Sequence, residues 1–317
     1  MLPPLLSHDI VTGLKQFLTT GFEPSNEHFS GLIKRFVDDE STWLKGPYLQ
    51  LGLPYRVGEK GTRYFSDFEL EFPAFTHQEL AWNRLCSDRV AANTLVATGT
   101  GSGKTECFLF PLLDHAARMK RQGGDASKGI KALVIYPMNA LATDQARRFA
   151  EEVARNPAFK DLRVGLFVGG GSTFSGGNPV MSPTEVITDR EVMRKNPPDI
   201  LLTNYKMLDY LLIRPKDRQL WAQNSPTTLR YIVIDELHTF DGAQGTDLAL
   251  LLRRLKARLN SPDNHLIHVG TSATLGGGTD SSALQDYAKQ ITGSPFLADS
   301  VITEDRLSVA EFLGDTT

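Results

Sequence analysis

The chain has 317 residues, 41% hydrophobic and 22% charged, the balance of a globular protein long enough to bury a large core. With 34 Lys and Arg against 37 Asp and Glu, the formal net charge is −3, so no global basic field announces a polyanionic partner, although a local groove can still hold one. No run approaches the roughly 20 continuous apolar residues that span a bilayer, and the two cysteines, Cys86 and Cys107, cannot build a disulfide framework or a four-thiolate zinc site.

The opening MLPPLLSHDI has no basic stretch ahead of an apolar one, so it does not read as a secretion signal. A cytoplasmic location and no membrane partner are the expectations. Residues 1–72 carry short amphipathic pieces at 10–18 and 29–37, then turn signals at Gly46-Pro47, Leu53-Pro54 and 58–61. They are expected to form a small N-terminal accessory segment of two helices and a few irregular strands. From Thr76 the pattern changes. Nearly continuous apolar runs at 94–97, 131–136, 163–168, 199–203, 230–235 and 266–271 read as strands buried on both faces. Helical patterns lie at 77–87, 104–120, 140–155, 205–213, 246–260 and 281–292. Such alternation predicts an α/β domain, a mostly parallel sheet with helices on both faces. Ligands of these sheets sit at the carboxyl ends of the strands. Two glycine-rich loops, 169–177 and 276–278, read as mobile or ligand-facing.

The strongest chemical signal is Thr98-Gly99-Thr100-Gly101-Ser102-Gly103-Lys104-Thr105, followed by Glu106, between the first strand and its helix. Phosphates need inward-pointing backbone amides, glycines let the chain curl tightly enough to supply them, and the helix N-terminus adds partial positive charge. Lys104 would reach the β- and γ-phosphates and the Thr105 hydroxyl would hold magnesium. The strict phosphate-loop pattern has glycine where this chain has Thr98. The second signal is Asp235-Glu236-Leu237-His238 at the end of an apolar strand. Asp235 suits a magnesium contact through water, and Glu236 suits positioning and deprotonating an attacking water. The third is Thr271-Ser272-Ala273-Thr274, again at a strand end, whose hydroxyls are placed to bond the Asp235-Glu236 segment.

In this order the three strings resemble motifs I, II and III of superfamily 2 DEAD/DEAH-box helicases, where alanine or glycine commonly opens motif I and Thr98 is a tolerated variant. Phe75-Thr76-His77-Gln78 resembles the upstream glutamine motif, which implies that Gln78 reads the adenine edge. Residues 136–145, with Pro137, Asn139 and Gln145, resemble motif Ia in a P-x-x-A-L-A-x-D-Q form familiar from DNA helicases. Gly169-Gly170 resembles motif Ib and Thr203-Asn204-Tyr205 motif Ic. The resemblance covers 72–296 and implies a RecA-like P-loop NTPase fold, ATP and Mg2+ as cofactors, and ATP hydrolysis coupled to strand tracking. Its nucleic-acid residues would be Pro137, Asn139, Gly169, Gly170 and Thr203. Asn139 would cap a helix whose free amides take a phosphate, and Gly169-Gly170 would permit close backbone approach. The run 239–247 with Leu248, Leu251, Leu252 and Leu255 behind it resembles the large bacterial phage-defence helicases of the Druantia and DISARM type, relatives of repair helicases.

These resemblances imply a DNA helicase or translocase, with single-stranded DNA, defence-system proteins and a second RecA-like domain as partners. Residues 73–297 would be the first RecA-like domain and 298–317 the start of a linker towards the second. No arginine-rich motif follows Thr274, so the chain alone is expected to hydrolyse ATP weakly or not at all. An RNA helicase and a non-catalytic nucleotide-binding interaction module are the rival readings. His115, His265 and His268 lack ligand-spaced partners, and Trp43, Trp82 and Trp221 read as packing residues.

Overall fold

The computed structural model describes residues 3–44, 52–86, 91–169, 177–273 and 281–314. They belong to two units, Met1–Leu53 and Pro54–Thr317. The first holds helices α1 (Pro3–Gly21), α2 (Leu32–Asp38) and α3 (Glu40–Trp43), with Val37 buried and its carbonyl accepting from Trp43 Nε1 at 2.9 Å. In chain order the second holds α4 (Thr76–Leu85), β1 (Thr94–Ala97), α5 (Lys104–Gln122), β2 (Ala132–Tyr136), α6 (Asn139–Arg155), β3 (Val164–Phe167), α7 (Arg190–Lys195), β4 (Ile200–Asn204), α8 (Tyr205–Ile213), β5 (Tyr231–Ile234), α9 (Gly242–Leu259), β6 (Ile267–Ser272), α10 (Ser281–Thr292), β7 (Val301–Thr303) and α11 (Val309–Leu313).

The seven strands form one sheet in the order β3-β4-β2-β5-β6-β1-β7, every neighbouring pair parallel. Alternation along each strand divides the apolar residues between two cores. On β2, Ala132, Val134 and Tyr136 join Phe108, Leu112 and Phe149 on one face. Leu133 and Ile135 join Leu208, Leu211, Leu248 and Leu252 on the other. Burial on both faces explains why these strands read as unbroken apolar runs.

The registers bring the functional strings together. Val96 and Ala97 lie opposite Thr271 and Ser272, and Ile234 lies opposite Gly270. The carboxyl ends of β5, β6 and β1 are therefore adjacent, and those of β3, β4 and β2 form the other half of the same edge.

Two segments depart from the sequence pattern. Within the stretch expected to be accessory, residues 54–72 fall in the second unit. Phe65 and Phe68 stack with centroids 4.5 Å apart and pack against Trp82, Phe110 and Phe159. Within the stretch expected to be linker, β7 adds an edge strand beside β1, with Leu95 opposite Val301. It is three residues long and buries only Ile302, too little pattern to register as a strand.

Candidate nucleotide and nucleic-acid site

The loop between β1 and α5 turns through two left-handed residues, Gly101 at φ +78° and Gly103 at φ +77°, a conformation in which a Cβ is strained. Thr98 closes the loop on itself. Its hydroxyl lies 2.6 Å from the buried Ser102 hydroxyl, and its carbonyl accepts from Lys104 Nζ at 3.1 Å. The position that departs from the strict pattern thus has a structural use for its side chain. Gln78 and His77 brace the loop from α4. Gln78 Nε2 donates to the Gly103 carbonyl at 3.2 Å while its Oε1 accepts from Phe75 N–H at 2.9 Å. His77, fully buried, donates from Nε2 to the Ser102 carbonyl across 2.8 Å, and burial holds its pKa below the ordinary histidine value.

Asp235 and Glu236 follow β5 and are joined by one hydroxyl. Thr271 Oγ1 donates to Asp235 Oδ1 and accepts Glu236 N–H at 2.9 Å. Ser272 Oγ and His238 Nδ1 stand 3.2 Å apart, and His238 Nδ1 lies 3.4 Å from Glu236 Oε2. Lys104 Nζ is 4.0 Å from Glu236 Oε1. Burial pushes the Asp235 carboxyl up, against the opposing pull of the Thr271 hydroxyl and of Lys104.

A cavity of about 900 Å3 opens over this arrangement, lined among others by Phe75, Gln78, Lys104, Arg148, Asp235 and Glu236. Gly99, Thr100, Gly101, Gly103, Thr105 and Glu106 face it as well. Phosphate-loop amides, a lysine and two carboxylates on one wall suit a polyphosphate with a divalent cation. The oxygen donors Thr105 and Asp235 are hard ligands of the kind that suit a divalent cation held beside a polyphosphate.

On the other half of the edge, Asn139 ties three segments together. Its Nδ2 donates to the Gly169 carbonyl at 2.9 Å and its Oδ1 accepts from Asn204 Nδ2. Thr203 Oγ1 donates to the Phe167 carbonyl at 2.6 Å. Asn139 was expected to cap a helix. Instead it is the first residue of α6, whose N-cap Met138 makes no side-chain bond, and the capping asparagine is Asn204, which accepts Met207 N–H at 2.7 Å. The Asn139 amide is instead spent between Gly169, two residues past β3, and Asn204, the last residue of β4, the strand paired with β2. Pro137 and the exposed Met138 complete this surface. Gly170, Thr274 and most of the glycine-rich stretches lie outside the described residues.

Several residues at the site carry no signal in the sequence pattern. Glu304, just past β7, accepts Gly99 N–H at 2.8 Å. Arg148 pairs with Glu106, and Trp82 Nε1 donates to the Glu106 carbonyl at 3.0 Å. Such contacts form only once α4, α5, α6 and β7 have packed, so no local string announces them. His115 and His268 are buried in the core and His265 is bonded to the Thr227 carbonyl at 3.0 Å. Two basic residues of α9 are engaged in ion pairs, Arg254 with Asp209 and Lys256 with Asp263.

A family model for DEAD/DEAH box helicases matches residues 75–281. The chain is 27% identical to the Druantia protein DruE of Escherichia coli strain UMEA 4076-1, in an alignment that takes in 90% of this chain and 21% of that protein. It is 31% identical to the Lhr helicase/uracil glycosylase of Escherichia coli K12, across 63% of this chain and 12% of the relative. The chain therefore spans a minor part of the length of either. Among solved structures, it is 26% identical to the DUF1998 helicase MrfA bound to DNA and AMPPNP, with a TM-score of 0.51 over 74% of this chain and 27% of that one. A DEAD-box helicase solved with single-stranded RNA and UDP-BeF shares the fold, at 19% identity, TM-score 0.52, and 74% and 40% coverage.

Proposed function

Because this chain belongs to the DEAD/DEAH box helicase family, we propose that it is the ATP-hydrolysing first RecA-like domain of a DNA helicase or translocase. The observation that carries the reading is the Thr271 hydroxyl bonded to both Asp235 and the Glu236 amide, with Lys104 Nζ 4.0 Å from Glu236 Oε1. One contact thus fixes two carboxylates and the end of β6 relative to the phosphate loop.

In this reading Gly101, Gly103, Lys104 and Thr105 take the phosphates through backbone amides, and Lys104 Nζ donates to the β- and γ-oxygens. Glu236 orients the attacking water and accepts its proton as the bond to the γ-phosphorus forms and the bond to the β-γ bridging oxygen breaks. Thr105 and Asp235 would hold magnesium, which supplies neutralisation of the phosphate charge when bound. Gln78 and Phe75 line the part of the cavity where the base would lie, the Gln78 amide already bonded to Phe75 N–H and the Gly103 carbonyl. A single DNA strand would run over Pro137, Asn139, Gly169, Gly170 and Thr203. DNA is preferred to RNA on the form of residues 136–145 and on the likeness to MrfA, solved with DNA. The Druantia protein match spans residues well outside the helicase model, which supports membership of a Druantia-type defence helicase, acting in the cytoplasm. The chain after β7 and α11 would lead to a second RecA-like domain that supplies an arginine to the γ-phosphate.

The test uses this chain beside a version extended by that second domain. Both should bind a fluorescent ATP analogue and prefer single-stranded DNA to RNA of equal length. ATP turnover should be near background in the short chain and rise by about 10³–10⁵ in the extended one, the worth of a supplied arginine. Preference for RNA would move the reading to an RNA helicase. Nucleotide binding without turnover above background in the extended protein would leave a non-catalytic nucleotide-binding interaction module.

A further inference from the structure

Residues 54–57 and 304–307 meet in an antiparallel pairing beside the phosphate loop. Arg56 N–H donates to the Asp305 carbonyl at 2.9 Å, Leu307 N–H donates to the Pro54 carbonyl at 3.0 Å, and Tyr55 bridges Arg306. The same segment also joins the approach to Gln78, with Gly58 N–H donating to the Ala74 carbonyl at 2.7 Å and Thr76 N–H to the Arg56 carbonyl at 2.9 Å. Three stretches distant in sequence are braided at the carboxyl end of β1.

Glu304 lies where the braid touches the loop. Its Oε2 accepts Gly99 N–H at 2.8 Å and its Oε1 accepts from Arg306 Nε at 2.8 Å. Arg306 donates from Nη2 to the Tyr55 hydroxyl at 2.7 Å and lies 4.0 Å over the Tyr55 ring, a geometry that holds a guanidinium by its face as well as its edge. A Cβ at position 99 would stand 3.0 Å from Glu304 Oε2, so a side chain there would crowd the carboxylate. A charge-assisted bond to a backbone amide is stronger than a neutral one, and this one closes on the first turn of the loop that must present its other amides to phosphate.

We propose that Glu304 is a positioning residue that holds the first turn of the phosphate loop in shape before nucleotide arrives, with Arg306 and Tyr55 orienting its carboxylate and offsetting its charge beside the phosphates. The inference rests on the reading of residues 98–105 as a nucleotide site.

Amide hydrogen exchange of the free protein reads the hold directly, and nucleotide titration reads its consequence. Glu304→Ala should speed exchange across residues 97–103 by roughly tenfold, the measure of one such bond. Glu304→Gln, whose amide oxygen still accepts from Gly99 but without the charge and without an acceptor for Arg306, should fall between the parent and Glu304→Ala. Affinity for a non-hydrolysable ATP analogue should fall several-fold in Glu304→Ala, recover in part in Glu304→Gln, and fall furthest in Arg306→Ala, where an unpaired carboxylate remains beside the phosphates. Adenosine, which has no phosphates, should bind all variants equally. Should an alanine variant fail to fold, Glu304→Gln against Arg306→Lys carries the comparison, since lysine loses the fork and the ring contact. Parental exchange in every folded variant overturns the proposal. So does tighter binding of the ATP analogue without Glu304, because the carboxylate would then be competing with phosphate for the amide. If the parent binds no nucleotide, the nucleotide reading fails alone, and the exchange rates still decide whether Glu304 holds the loop.

Discussion

Glu236 sits at φ 49° and ψ 50°, in the left-handed region that side chains other than glycine rarely adopt, at a cost of about 1–3 kcal/mol. Its amide donates to Thr271 Oγ1 at 2.9 Å and its carbonyl accepts from Thr239 N–H at 2.8 Å, so neighbours on both sides hold the conformation. The consequence is that consecutive carboxylates diverge, Asp235 into the buried end of the sheet and Glu236 towards Lys104. Glu236→Gln keeps the shape and loses the base. In a protein carrying the second domain it should bind ATP with parental affinity while turnover falls by about 10²–10⁴, as steady-state kinetics and nucleotide titration will read. Lys104→Ala should weaken ATP binding by about 2–4 kcal/mol by removing a charge-assisted contact, and calorimetry checks it. Thr271→Val keeps the volume but strands one Asp235 oxygen and the Glu236 amide, for a loss of about 1–3 kcal/mol in urea unfolding. At this scale the contiguous strings were readable, since spacing along a strand end or loop fixes their chemistry. Glu304 was not, because its partner Gly99 lies far back in the chain.

Elements were legible wherever burial is two-sided. The runs at β2, β4 and β5 contain almost only apolar residues because each faces a core on both sides, and helices α8 and α10 follow their amphipathic pattern from end to end. What the pattern could not supply was pairing. The bridges of Tyr55 with Arg306 and of Val57 with Phe75 join residues outside the named strands, and a three-residue edge strand such as β7 has no period to detect. The same limit applies to Asn139. Its residue type is consistent with a cap, whereas the neighbouring ends of β3 and β4 draw its amide into a bridge between Gly169 and Asn204. That bridge makes the ends of three strands one surface. Asn139→Ala should therefore weaken single-stranded DNA binding by about 1 kcal/mol, the worth of a lost hydrogen bond, and leave ATP-analogue affinity unchanged. Fluorescence anisotropy with labelled DNA separates the two, and an equal loss of both would mean that the change has spread to the phosphate loop.

For the molecule taken whole, the buried histidines set how far the fold survives acid. His115 and His268 are 7% and 4% exposed, and burial, aided by Arg230 near the first and Lys256 near the second, pushes their pKa values down to about 3 and about 4. Both are neutral in the fold, whereas the unfolded chain takes up their protons near the ordinary value of about 6.5. The stabilisation is thus fully present above pH 6.5 and is lost as pH falls towards 4, at about 1.4 kcal/mol per histidine per pH unit. By pH 4 that amounts to about 3 kcal/mol for His268 alone, a large share of the 5–15 kcal/mol typical of a domain. The carboxyls of Asp114, Glu152 and Asp235, raised by burial, act with the opposite sign, since a fold that binds their protons more readily gains stability as pH falls. A single pH profile therefore mixes the two effects, and a variant is needed to part them. His268→Gln removes one titrating ring at one site, so its unfolding free energy should decline less than the parent's between pH 6.5 and 4.5, by about 2–3 kcal/mol. Parallel profiles for the two proteins in urea would show that His268 carries its proton inside the fold.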